Sequence, residues 1–162
     1  YRIIAFPIAN PDGVDLGHWR HNYGGIDLNR DWSVYNQPEI KQIVRFINNA
    51  SEDDEGDIIL GLDFHSTTKD VFYTNKKREN TSMPNFIDYW FAGLERNIPG
   101  YKVNESSGNS QEPVSKGWFL YGHNAVGVTY EIGDATPKED IVIRGQVSAK
   151  EMMKILVYII KP

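Results

Sequence analysis

Ile58-Ile-Leu-Gly-Leu-Asp-Phe64 runs directly into His65-Ser66. Seven residues without a polar/apolar alternation, led by two isoleucines, predict a central strand buried on both faces rather than a half-exposed one. The strand ends on a residue able to bind metal or move protons. Ala125 to Ile132 repeats this plan, with Glu131 near its end. Helical patterns surround the two strands. Asn36-Gln-Pro-Glu39 has the form of a capping box, and Ile40, Ile43, Val44 and Ile47 follow at helical spacing. Ser82 to Ile98 carries Phe86, Ile87, Trp90 and Leu94 on one face and stops at Pro99-Gly100. Thr136-Pro-Lys-Glu139 is a second capping box, and Met152, Met153, Leu156, Ile159 and Ile160 form the apolar face of a closing helix, with a break or second start expected between Gly145 and Ser148-Ala-Lys-Glu151. Alternating strands and helices predict a three-layer α/β architecture with function at the carboxyl ends of strands, where His65 and Glu131 both lie.

The remaining segments are shorter or more polar. Arg2-Ile-Ile-Ala-Phe-Pro-Ile8 reads as a strand that ends at Asn10-Pro-Asp-Gly13, a turn signal. A loop then reaches about Tyr35, held in order by Trp19, Tyr23 and Trp32. Ser51 to Asp57 reads as an acidic solvated loop, Val71 to Thr74 as a short strand, and Asn104 to Ser115 as a mobile loop. The first residue is Tyr1 rather than methionine and falls inside an expected strand, so the sequence is expected to be part of a longer chain.

Composition narrows the function classes. At 162 residues, one domain spanning 1–162 is expected, with 40% hydrophobic and 24% charged residues. A net charge of -5 argues against phosphate-backbone binding, so no nucleic-acid partner is expected. No apolar run reaches membrane-spanning length. The absence of cysteine removes disulfides and thiolate chemistry and leaves the compartment open.

The polar residues in the long loop are directional. Arg20 and Arg30, with Asn29 beside the latter, form a candidate anion clamp, because guanidinium forks grip carboxylates through paired hydrogen bonds. The alternative is a solvated loop face. On position alone a histidine such as His65 is more often a structural or surface residue than a metal ligand, and Glu131 is an acid on a nearly buried strand, where carboxylates are rare unless paired or functional.

Taken together, Asn10-Pro-Asp-Gly13, Trp19-Arg20, Gly25-Ile-Asp-Leu-Asn-Arg-Asp-Trp32, Phe64-His65-Ser66 and Thr129-Tyr-Glu131 resemble the zinc carboxypeptidases of the carboxypeptidase A type, in order and rough spacing. The resemblance covers nearly the whole chain and implies a three-layer α/β/α fold with a mixed central sheet, incomplete at its N-terminus. It implies removal of C-terminal residues from peptides bearing a free carboxylate, with His65 as a zinc ligand and Glu131 as general base. Arg20 would stabilise the oxyanion, Asn29 and Arg30 would bind the terminal carboxylate, and Lys116 would sit at the base of the side-chain pocket, favouring acidic residues. An exposed loop lysine is the competing reading of Lys116.

Two features depart from the family. Its His-x-x-Glu zinc motif is absent, since none of His18, His21 and His123 is followed three residues later by Glu. The missing ligands are expected upstream, and the chain alone is expected to bind catalytic zinc poorly. The substrate-covering tyrosine of the family has no counterpart in Asn104 to Ser115; Tyr121 lies closer to Glu131 and the role stays unassigned. Two rival classes remain open: a non-catalytic module that binds peptide C-termini, and a zinc N-acyl-amino-acid amidohydrolase sharing the Asp-Leu-Asn-Arg element.

Overall fold

The computed structural model describes residues 1–53 and 56–159. Four strands form one mixed sheet: β1 (Leu60–Thr67), β2 (Val71–Thr74), β3 (Glu105–Ser107) and β4 (Val126–Gly133), in the spatial order β1-β4-β2-β3. β1 and β4 run parallel, β4 and β2 antiparallel, and β2 and β3 parallel. Five α-helices accompany them: α1 (Pro11–Asp15), α2 (Pro38–Asp53), α3 (Phe86–Asn97), α4 (Ser115–His123) and α5 (Lys138–Lys154), with a π-helical extension at Ile155–Ile159.

Strand alternation sorts the two faces of the sheet. Val126, Val128 and Tyr130 of β4 join Phe72 of β2 and Phe86, Trp90 and Leu94 of α3 in the main core, which Ile155 and Leu156 close. Phe72 lies flat on Tyr130, with ring centroids 4.0 Å apart and planes 3° from parallel. The opposite face carries Gly61 and Gly127, and there α4 packs against the sheet. A Cβ on Gly127 would stand 2.3 Å from the Lys116 carbonyl oxygen, and one on Gly61 would meet the Phe119 ring. Glycine at these positions is what lets the helix backbone approach the strands. A second cluster of Leu28, Trp32, Ile40 and Val44, with Trp118 against it, fastens the long loop and α2 to α4.

Several sequence expectations need correction. β1 is an edge strand of the described sheet, and Phe64 is 63% exposed, because β4 pairs with one side only. The centre belongs to β4, whose first five residues are buried. Among the described residues, Arg2 to Ile8 forms no β-strand, and Ile3 and Ile8 are exposed. Asn10-Pro-Asp-Gly13 starts a short helix instead of a simple turn: the Asn10 side chain accepts from Gly13 N at 3.1 Å while Pro11 takes the first helical position. Asn104 to Ser115 contains β3, whose pairing with β2 orders it. α4 was not foreseen. Gly145 lies inside the uninterrupted α5, so the expected break does not occur. Asp31 rather than Asn36 caps the approach to α2, accepting from the Asn36 and Gln37 amides at 3.0 and 2.8 Å. Part of the expected acidic loop Ser51 to Asp57 lies outside the described residues, as do Ile160 and the side chain of Ile159.

The close contact of α4 with the sheet is testable by one added methyl group. Gly127→Ala is expected to lower stability by about 1–3 kcal/mol through overpacking. Gly145→Ala, with no atom within 4 Å of the new Cβ, is expected to raise it by up to about 1 kcal/mol through helix propensity. Urea denaturation midpoints read both signs.

Candidate functional site

Parallel pairing places His65 of β1 opposite Glu131 of β4, two residues before the ends of both strands. Neighbouring strands lie about 4.8 Å apart, so imidazole and carboxylate leave the sheet side by side. Asp63 stands on the same face as His65, one strand period earlier. Its Oδ2 lies 2.8 Å from His65 Nε2 and accepts a hydrogen bond from Ser115 Oγ at 2.5 Å.

The electrostatics of the pair follow from these neighbours. Burial opposes protonation of His65, but the hydrogen bond and charge of Asp63, aided by Glu131 and Asp27, win and hold its pKa above 6.5. Burial raises Glu131 above 4.5; His65 and Arg20 pull it down, and Asp63 and Asp134 push it up. A carboxyl whose pKa burial raises, beside an imidazole, suits proton transfer.

The loop is built by its own polar groups. Asp27 Oδ1 accepts from the Asn29 amide at 2.9 Å and starts a 3-10 turn at Leu28–Arg30, while its Oδ2 holds Arg20 Nη1 at 3.4 Å. Arg20 stacks over Trp19 at 4.9 Å. Buried Asn22 ties the loop to the start of α2 through Gln37 and Glu39. Asn29 Oδ1 accepts from the Ser115 amide at 2.9 Å, which brings the loop to the first residue of α4.

The expected site residues thus fall into three groups. His65, Glu131 and Arg20 share one electrostatic neighbourhood, and Asn29 is joined to it through Ser115 and Asp63. Arg30 sits further out, donating to the Asn29 carbonyl at 2.8 Å with Glu112 at 3.9 Å. Lys116 is buried on α4, which excludes the exposed loop lysine. Its Nζ donates to the carbonyls of Thr74, at 3.3 Å, and Gly108, and burial lowers its pKa from 10.5 to about 8. His18 contacts the Asn22 carbonyl and His21 bridges Asp27, so both serve the loop. Asp63, Ser115 and Asp27 were missed. Period-two spacing from His65 was a usable signal for Asp63, but nothing local marked Ser115.

His65, an imidazole at a strand end beside a carboxylate, fits a zinc site as one donor. Catalytic zinc takes three protein ligands, and among the described residues no group of three His, Cys, Asp or Glu could hold a metal ion. The described residues therefore offer His65 as one possible donor and no complete zinc site.

A family model described as zinc carboxypeptidase matches residues 1–147. A Plasmodium falciparum protein, named provisionally as a zinc carboxypeptidase, is 42% identical over 69 residues, 41% of this chain and 4% of that protein. The crystal structure of a metallo-carboxypeptidase from Burkholderia cenocepacia aligns over 94% of this chain and 43% of its own, with a TM-score of 0.62 and 17% identity. A structure from Shewanella denitrificans, provisionally named a carboxypeptidase A, aligns over 91% of this chain and 44% of its own, with a TM-score of 0.68 and 20% identity. The chain therefore spans less than half the length of these relatives, and the structural likeness concerns the fold.

Lys116 offers a test of the electrostatics. The unfolded chain binds more protons there than the folded one between about pH 8 and 10.5, so this residue makes stability rise with pH across that window. Urea midpoints should show the rising component in the wild type and lose it in Lys116→Met.

Proposed function

The chain belongs to the zinc carboxypeptidase family, and on that premise we propose that the protein containing it is a zinc-dependent metallocarboxypeptidase that removes C-terminal residues from peptides. The observation that carries this reading is the register that sets His65 beside Glu131 at strand ends, within the field of Arg20. Zinc, when bound, supplies a water of pKa about 7 and a polarised scissile carbonyl. His65 would be one ligand, with the other donors outside these 162 residues; this chain alone would not hydrolyse peptides.

The chain's own residues do the rest. Glu131 accepts a proton from the attacking water and delivers it to the leaving amine, a task suited to its raised pKa. Arg20, oriented by Asp27 and half exposed, donates to the oxyanion. Asn29, whose Nδ2 donates to no acceptor among the described residues, binds the terminal carboxylate together with Arg30. Fixing that carboxylate makes the last peptide bond the one presented for attack.

Lys116 would select an acidic terminal side chain. Two of its three N–H groups are used by carbonyls, and its buried charge has no hydrogen-bonded carboxylate among the described residues. An entering Glu or Asp would supply one.

In the complete protein, Arg20→Ala is expected to lower kcat about 10²–10³-fold with little change in KM. Arg30→Ala should raise KM for free-acid peptides only, and C-terminal amidation should abolish turnover. The acid limb of kcat/KM should fall above the ordinary carboxylate value of 4.5. Terminal Glu and Asp should be preferred over Phe and Lys, the order turning toward neutral residues in Lys116→Ile. Equal cleavage of amidated and free-acid peptides would exclude the carboxypeptidase assignment.

A further inference from the structure

Asp63 has no part in the reaction described above, yet it stands at the middle of a hydrogen-bond chain that crosses three segments. Its Oδ2 faces His65 Nε2 at 2.8 Å and takes the Ser115 hydroxyl at 2.5 Å, while the Ser115 amide donates to Asn29 Oδ1 at 2.9 Å. Ser115 is 1% exposed, and with both donors committed it has little freedom to turn.

The direction of each bond follows from donor counting. An ionised carboxylate only accepts, and a hydroxyl has one proton to give, so the Ser115 proton points at Asp63. His65 must then present an N–H from Nε2. In a neutral imidazole that leaves Nδ1 as the lone-pair nitrogen, and among the described residues Nδ1 has no hydrogen-bond partner.

We propose that Asp63 and Ser115 are positioning residues: they hold His65 in the Nε2–H tautomer with Nδ1 as its metal-donor atom, and they tie that ring to the substrate-binding amide of Asn29. The proposal rests on the reading of His65 as a zinc ligand. Partners of this kind fix the tautomer and orientation of ligating histidines, and their loss typically weakens metal affinity about 10–100-fold. The link through Ser115 adds a coupling between two tasks: a shift of α4 that frees Asn29 also frees the ring.

The experiment uses the complete protein as wild type, Asp63→Asn, Ser115→Ala and Ser115→Thr. Imidazole ¹⁵N spectra of the metal-free forms, taken well above the ordinary histidine pKa of about 6.5, report the tautomer, and chelator competition reports zinc affinity. Wild type should show a single Nε2–H tautomer at His65. Asp63→Asn and Ser115→Ala should mix tautomers and raise the zinc Kd about 10–100-fold, Ser115→Ala should also raise KM for free-acid peptides, and Ser115→Thr should restore all three. Ser115→Ala decides the matter if Asp63→Asn does not fold. Folded variants with an unchanged tautomer and a zinc Kd within about twofold of wild type would overturn the proposal. A wild type whose tautomer responds to these substitutions but which binds no zinc would keep the positioning role and instead remove the metallopeptidase reading.

Discussion

Eight residues of β1 lie beside eight of β4 in parallel register, from Leu60 opposite Val126 to Thr67 opposite Gly133. A slip of one residue would turn His65 or Glu131 to the other face and put glycine-free backbone under α4. The pairing therefore sets two things together. It makes a flat seat at Gly61 and Gly127 on which α4 rests, and it sets His65 and Glu131 side by side beyond that seat. α4 in turn brings Ser115 to Asp63 and Asn29, which joins the long loop to the strands.

Charge is distributed across this frame with one sign dominant. Asp27, Asp63 and Glu131 surround His65, and Arg20 is the cation shared between Asp27 and Glu131. Such surroundings raise the His65 pKa and favour the protonated ring. A bound metal ion, competing for the same imidazole, would meet carboxylates already arranged to receive positive charge. Arg30 and Lys116 stand outside this group, one at the rim of the loop and the other within α4.

How much of this was legible depended on the range of the interactions involved. α3 was readable because Phe86, Ile87, Trp90 and Leu94 repeat at helical spacing and all four are buried. β4 was readable for the same kind of reason, and with it the strand-end position of Glu131. β1 was misjudged as central because continuous apolarity reports burial of its residues in the core, here Leu60 and Leu62, and carries no information about whether both edges are paired. Arg2 to Ile8 failed similarly: its pattern suits a strand, but a strand also needs ladder pairing, and among the described residues this segment takes no strand conformation. α4 escaped notice since its first residues are stabilised from outside, by Asn29, Asp63 and the carbonyls that receive Lys116. Ser115 and Asp63 are 52 positions apart, and no local pattern encodes their contact.

The most direct measurement is zinc content alongside peptide turnover for the complete protein, wild type against Glu131→Gln. Glutamine keeps the shape of the side chain and removes its ability to accept a proton. The account predicts that both proteins carry zinc at equal stoichiometry and that the variant loses turnover of free-acid peptides by about 10²–10⁴-fold. A wild type without zinc, or a variant that turns over peptides at the wild-type rate, would contradict it.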